Sequence, residues 1–277
     1  MTATAERPTT TIFRRPSSTT GLWSWITTVD HKRIGIMYGY AAFSFFIVGG
    51  LEALLLRIQL SQANAEFLTA GAYNALFTMH GTTMIFLFVM PVSAAFMNYL
   101  LPLLIGARDV AFPRLNALSW WIFFFGGIFL YSTFIFGTSL APISPDGITG
   151  NLAAGGGPGS FNFLATSPDG GWFGYQPNAG PLYSPGTAMD YWALGLQILG
   201  LASLVSSVNF IVTVFNMRAK GMRLLRMPVF AWMSTVVAFL LLFSLPIIAV
   251  ALFMVTFDRQ FGTLFFAPYG GGDPILW

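Results

Sequence analysis

Cysteine is absent from the 277 residues, histidine occurs only twice, and charged residues make up 8% of the chain. Without cysteine there is no structural disulfide, thiolate zinc site or Cys-ligated iron–sulfur cluster, so any metal must be held by His, carboxylate, Met or Tyr. Imidazole can come only from His31 and His80. A charged fraction so far below the roughly 25% of ordinary soluble domains excludes a soluble globule as the starting point. The net charge of +3 rests on basic residues that follow loop position, which is a topological signal and does not indicate nucleic acid.

Apolar residues make up 55% of the chain, and mean hydropathy is +0.69. A bilayer core of roughly 30 Å needs about 20 apolar residues per helix. Runs of that length predict an all-α, polytopic membrane helix bundle with five spans: Ile34 to Leu56, Tyr73 to Pro102, Leu118 to Phe136, Tyr191 to Phe215 and Val229 to Phe257. Lys and Arg collect before the first span, between the second and third (Arg108, Arg114), and between the fourth and fifth (Arg218, Lys220, Arg223, Arg226). By the positive-inside rule the N-terminus is cytoplasmic. Residues 1–22, polar and Thr-rich, are expected to be a mobile cytoplasmic tail, and they lack the short apolar segment of a secretory signal. The connection from Gly137 to Asp190 carries AAGGGPGSFN and SPDGGWFGYQPNAGPLYSPG. Gly and Pro prevent regular structure there, and its aromatic residues favour a packed outer cap over a loose linker.

With that orientation His80 lies roughly 10 Å below the outer end of the second span, and Arg57 closes the outer end of the first. Both are costly in hydrocarbon without a partner. His80 is read either as an interhelical hydrogen-bonding group or as a metal or haem ligand; the adjacent Gly81 fits a flat macrocycle lying against the helix. Arg57 alone reads as an interfacial residue whose head reaches water. Glu52 is expected either to pair with Arg57 or a neighbouring helix, or to sit protonated, and has no assigned role. His31, in VDHKR, reads as an interfacial or capping histidine.

A second polar group collects at the inner side: Asn98, Asp109, Asn116, Ser203, Ser206, Ser207, Asn209 and Thr213. Amides and hydroxyls at this depth either glue helices together or hold a file of waters, with Asp109 as its charged mouth.

Several stretches in this order carry a resemblance: TTVDHKRIGIMY, the Arg57 to His80 interval, MHGTTMIFLFVMP, NYLLPLLIGARDVAFPRLN, SSVNFIVTVFNMR and APYGGGDPILW. From about Trp23 to Trp277 the chain resembles the N-terminal half of subunit I of the haem-copper terminal oxidases. The resemblance implies five transmembrane helices of a twelve-helix fold, with residues 23–277 as the N-terminal part of the membrane domain. It implies that His80 is an axial iron ligand of the low-spin haem, haem A, its other ring nitrogen oriented by an acceptor. Arg57 is then the arginine that hydrogen-bonds the haem formyl, and Trp172 a loop tryptophan near the propionates. Asp109, Asn98, Asn116, Asn209 and Ser203 match the proton uptake path.

The resemblance implies oxidation of cytochrome c by oxygen, giving water, with proton pumping in a bacterial plasma membrane. The implied partners are a copper-bearing subunit II, subunit III and the C-terminal part of subunit I. Quinol oxidase subunit I is the alternative enzyme, and a truncated or split-gene fragment without activity the alternative of another class. The family also departs from this chain in places. Ala202 stands where one serine of the uptake path is usual, and Gln59 where many members carry a cation-binding glutamate, so that cation is not expected here. Copper and a second haem need histidines that this chain does not have. On its own the chain is expected to be inactive.

Overall fold

The computed structural model describes residues 21–137 and 168–277. The described residues form helices and turns with no strand: α1 (Trp23–Ile26), α2 (His31–Gln59), α3 (Ala70–Thr82), a π-helical segment (Thr83–Val89), α4 (Met90–Leu104), α5 (Pro113–Tyr131), α6 (Thr133–Phe136), α7 (Ala188–Asn216) and α8 (Val229–Phe261). Most of the expected tail, residues 1–20, lies outside the described residues, as do residues 138–167 of the long connection.

Five helical stretches are long and apolar enough to cross a membrane: His31–Gln59, Ala70–Leu104, Pro113–Phe136, Ala188–Asn216 and Val229–Phe261. They match the five spans expected from hydropathy, extended by up to five residues at their ends. Capping accounts for part of the difference. Asp30 accepts hydrogen bonds from the backbone N–H groups of Lys32 and Arg33 and starts α2, and Thr69 caps α3 through the Ala72 N–H. Both satisfy donors that a helix start leaves unpaired. Gly262, with φ +65°, ends α8 in a conformation that favours glycine.

The second span changes register in its middle. Pro91 has no N–H to offer the carbonyl four residues earlier, and the helix widens to π geometry over Thr83–Val89 just before it. Such single-turn widenings redirect side chains and recur at functional sites. Here the change begins three residues after His80.

Helix α7 packs between α5 and α8, while α2 lies along α3 and α4. The larger core joins Trp192, Leu196 and Leu199 of α7 to Trp120, Phe123 and Leu130 of α5 and to Met79 and Leu87. A smaller one, around Leu101, Ile105, Phe210, Val214 and Ala231, closes the other end. Large apolar residues along α8, among them Phe243 and Ile247, remain exposed, as suits a helix in lipid, where packing and not water exclusion holds helices together. The two basic connections meet at one end: the Ala219 N–H donates to the Ile105 carbonyl at 2.9 Å. The spans therefore alternate in direction, and the Arg-rich loops share one side.

Candidate functional site

His80 sits near the end of α3, facing α2. Its Nδ1 lies 2.8 Å from the backbone carbonyl of Gly49. A carbonyl only accepts, so Nδ1 carries the proton, and in the neutral ring Nε2 is left with a bare lone pair. Nε2 has no hydrogen-bond partner among the described residues, and it is not sealed inside the protein. Beside this bond α2 also packs tightly on the second span, since a Cβ on Gly49 would come 2.9 Å from Met84 Sδ and 3.3 Å from Thr83 Cγ2. An imidazole held through one nitrogen with the other open is the arrangement of a metal-binding histidine, whose second nitrogen is normally fixed by an acceptor.

The residues beside His80 are held from three directions. Thr78 Oγ1 accepts the Gly171 N–H at 2.9 Å. Trp172 rests on Gly81, where a built Cβ would lie 2.6 Å from Trp172 Cβ. Trp192 of α7 donates its indole N–H to Thr82 at 3.1 Å. The small residue at position 81 therefore admits an indole from the loop, whereas the sequence suggested room for a macrocycle there. Residues 168–187 meet this end of the bundle at Thr78 and Gly81, but the aromatic residues expected to pack a cap, Trp172, Phe173, Tyr175 and Tyr183, are 36–62% exposed.

Arg57 is exposed and makes no hydrogen bond or ion pair among the described residues. Glu52 pairs with a neighbouring helix and not with Arg57. Tyr131 of α5 donates to Glu52 Oε1 at 3.1 Å and stands 2.6 Å from Thr83 Oγ1. Since the phenol proton goes to Glu52, the Thr83 hydroxyl is the donor to Tyr131. Gln59 is used locally, its amide donating to the Ala65 carbonyl and accepting from the Leu68 N–H.

At the opposite end, Asp109, Asn98, Asn116 and Asn209 are all buried, and Ser203 is partly buried. Their roles diverge. Asn209 Oδ1 accepts the Phe112 N–H at 2.8 Å and its Nδ2 donates to the Phe112 carbonyl at 3.2 Å, while Thr213 accepts the Ala111 N–H. These two residues hold the loop that carries Asp109. By contrast, Asn98 Oδ1 and both polar atoms of the Asn116 amide are buried without a partner. Buried polar atoms are rarely left so, and water is their usual complement.

Three residues of this cluster were not legible as members of it. His31, read as an interfacial or capping histidine, is the first residue of α2 and is 1% exposed, buried within the protein. Its Nδ1 donates to the Asn98 carbonyl at 2.7 Å, and its Nε2 is another buried atom without a partner. Tyr38 donates to Ser119 Oγ at 3.3 Å, and Ser119 donates to the Asn116 carbonyl at 2.8 Å. The signal was present: His31 and Tyr38 are seven apart on α2, and Asn116 and Ser119 three apart on α5, spacings that share a helix face. Tyr38 also borders a cavity of about 360 Å³ that Ser203, Ser206 and Ser207 line. Asn116, Ser119 and Tyr38 are thus joined by hydrogen bonds, and Tyr38 shares the cavity with these serines.

Residues 33–277 match the family described as "Cytochrome C and Quinol oxidase polypeptide I". The chain is 46% identical over 256 residues to cytochrome c oxidase subunit 1 of Bacillus subtilis, covering 92% of this chain and 36% of that protein. It is 44% identical over 268 residues to cytochrome c oxidase subunit 1 of Bacillus sp. (strain PS3), covering 96% and 39%. Quinol oxidase subunit 1 of Bacillus spizizenii is 42% identical over 257 residues, covering 92% and 35%. The chain thus spans little more than a third of the length of these relatives. It is an integral membrane protein of the cytochrome c and quinol oxidase polypeptide I family, the haem-copper oxidase subunit I.

Proposed function

We propose that the chain forms part of the catalytic subunit of a proton-pumping cytochrome c oxidase, with His80 as an axial ligand of a low-spin haem. The observation that carries this reading is the commitment of His80 Nδ1 to the Gly49 carbonyl, which leaves Nε2 as a metal-ready donor. His80 would hold the haem iron, and haem A bound there would supply a one-electron redox centre. Arg57, exposed and unpaired among the described residues, is free to reach the formyl group, and Trp172 covers the helix turn beside His80. Copper and a second haem call for histidines additional to the two in this chain.

Protons enter at the other end. Asp109 is the mouth, with Asn209 holding its loop in place. Water bridging Asn98, Asn116 and His31 would satisfy their unpaired atoms and lead through Ser119 and Tyr38 to the cavity beside Ser203. The basic loops at this end support the reading that it, with the N-terminus, faces the cytoplasm across a bacterial plasma membrane. Residues 1–22 form the cytoplasmic tail and 23–277 belong to the membrane domain. The partners are a copper-bearing subunit II that receives electrons from cytochrome c, subunit III, and the C-terminal part of subunit I.

Replacing His80 by Ala in the assembled oxidase tests the ligand role. Loss of the low-spin haem spectrum is expected; a spectrum with both haems intact would remove His80 from that role. The 42% identity to a quinol oxidase subunit 1 supports quinol as the alternative donor. Copper in the partner subunit, with turnover on reduced cytochrome c, is expected, and turnover on quinol alone would select the second reading.

A further inference from the structure

We infer that Arg259 and Asp190, which lie far along the chain from His80, are positioning residues for it, acting through the cap loop. This rests on His80 being the haem ligand. Arg259 stands in the last turn of α8 and Asp190 in the first turn of α7. The guanidinium donates through Nε to Asp190 Oδ1 at 2.5 Å, through Nη1 to the carbonyls of Ala179 at 2.8 Å and Ser184 at 2.9 Å, and through Nη2 to that of Gly186. Their side chains are 3% and 12% exposed.

The pattern is more than an ion pair. Residues 179–186 lie in a loop rich in Gly and Pro, where these carbonyls have few helix or sheet donors to accept from. One planar cation serves three of them and a carboxylate together. Only arginine has five donors in a fixed fork; lysine offers a point charge and cannot reach all four acceptors in their different directions. A buried pair of this kind gives little net stability by itself, but removing one partner strands the other and releases whatever the pair was holding.

What it holds is connected to His80. The Ser184 hydroxyl, on a residue whose carbonyl Arg259 binds, lies between the Asn178 carbonyl at 2.7 Å and Asp169 Oδ1 at 3.1 Å, its one proton shared between them. Two residues further on, the Gly171 N–H donates to Thr78, and Trp172 then seats on Gly81. Thr78 and Gly81 bracket His80. The route from Arg259 to the imidazole thus runs through Ser184, Asp169, Gly171 and Trp172, all in one loop. Loosening the fork frees the indole from Gly81 and admits water beside the imidazole, and water near an iron site stabilises its more charged oxidised form.

The test uses the complete oxidase complex with Arg259→Lys and, as a milder change that leaves the three carbonyl contacts intact, Asp190→Asn. Amide exchange over residues 169–186 is expected to accelerate at least about tenfold in Arg259→Lys, as for a segment moved toward local opening. The low-spin haem is retained, its midpoint potential moves negative, and Asp190→Asn gives a smaller shift of the same sign. Unchanged loop exchange overturns the inference, and so does a loosened loop with an unmoved potential. The exchange arm does not depend on iron ligation. A failure of the functional reading would instead appear as a normal low-spin spectrum in His80→Ala, with the loop still loosened by Arg259→Lys.

Discussion

Gly81 and Trp172 occupy a single volume: a methyl group on residue 81 would lie 2.6 Å from Trp172 Cβ and 2.8 Å from its Cγ. Gly81→Ala must therefore push the indole off α3, at a cost of about 1–3 kcal/mol for overpacking a tight contact. The substitution is expected to lower the thermal stability of the complex and to increase proteolysis of the 168–187 loop. Trp172→Gly in the same chain removes the clash, Cβ included, and recovery of stability in the double variant relative to Gly81→Ala checks that the two residues are coupled.

Tyr131 joins three helices, since its hydroxyl binds Glu52 of α2 and Thr83 of the second span from its own place on α5. Tyr131→Phe leaves Glu52 Oε1 and the Thr83 hydroxyl without that partner. Stranding buried polar groups costs about 1–3 kcal/mol, so the melting temperature of the complex is expected to fall. Arg57→Ala, which breaks no contact among the described residues, is expected to lower the melting temperature less than Tyr131→Phe does. Comparing the two by thermal unfolding checks that Glu52 depends on the phenol and not on the arginine.

Asp169, in the cap loop and outside the spans, makes the cap pH-dependent. Burial pushes its carboxyl above the ordinary range, against the opposing effects of the Ser184 hydroxyl, its own backbone N–H and the Arg259 charge. A carboxyl raised in the folded state favours the fold fully below its unfolded value, about 4, and that contribution is lost as pH rises through the raised value. Loop protection against amide exchange, corrected for the intrinsic pH dependence, is expected to decline over this window. Asp169→Asn should flatten that decline.

Asp109→Asn is expected to slow proton uptake and turnover while leaving haem spectra as in the parent enzyme. Stopped-flow pH-indicator measurements on reconstituted vesicles check it. Unchanged uptake and pumping would return the inner cluster to helix packing.

The five spans were legible because length and apolarity alone specify a membrane helix, while the positions of Arg and Lys give an expected direction. The candidate site residues were visible as polar groups in an apolar background, but their partners were not. His80 bonds to a backbone carbonyl at Gly49, and a carbonyl has no sequence signature. Asn209 and Asn116 look alike in sequence, yet one is tied to Phe112 and the other has no partner, because tertiary approach decides which amide meets a loop backbone. His31 read as interfacial or capping because it follows a helix cap, and the sequence does not show that α4 buries it within the protein. Gly81 was read as space for a cofactor, and the space belongs to an indole contributed from a loop about 90 residues later.

The most direct measurement is an experimental map of the assembled oxidase around the second span. The account predicts a porphyrin whose iron is bonded to His80 Nε2, with Nδ1 still hydrogen-bonded to the Gly49 carbonyl and Trp172 still packed on Gly81. An imidazole with both nitrogens hydrogen-bonded to neighbouring helices, and no macrocycle beside it, would contradict it.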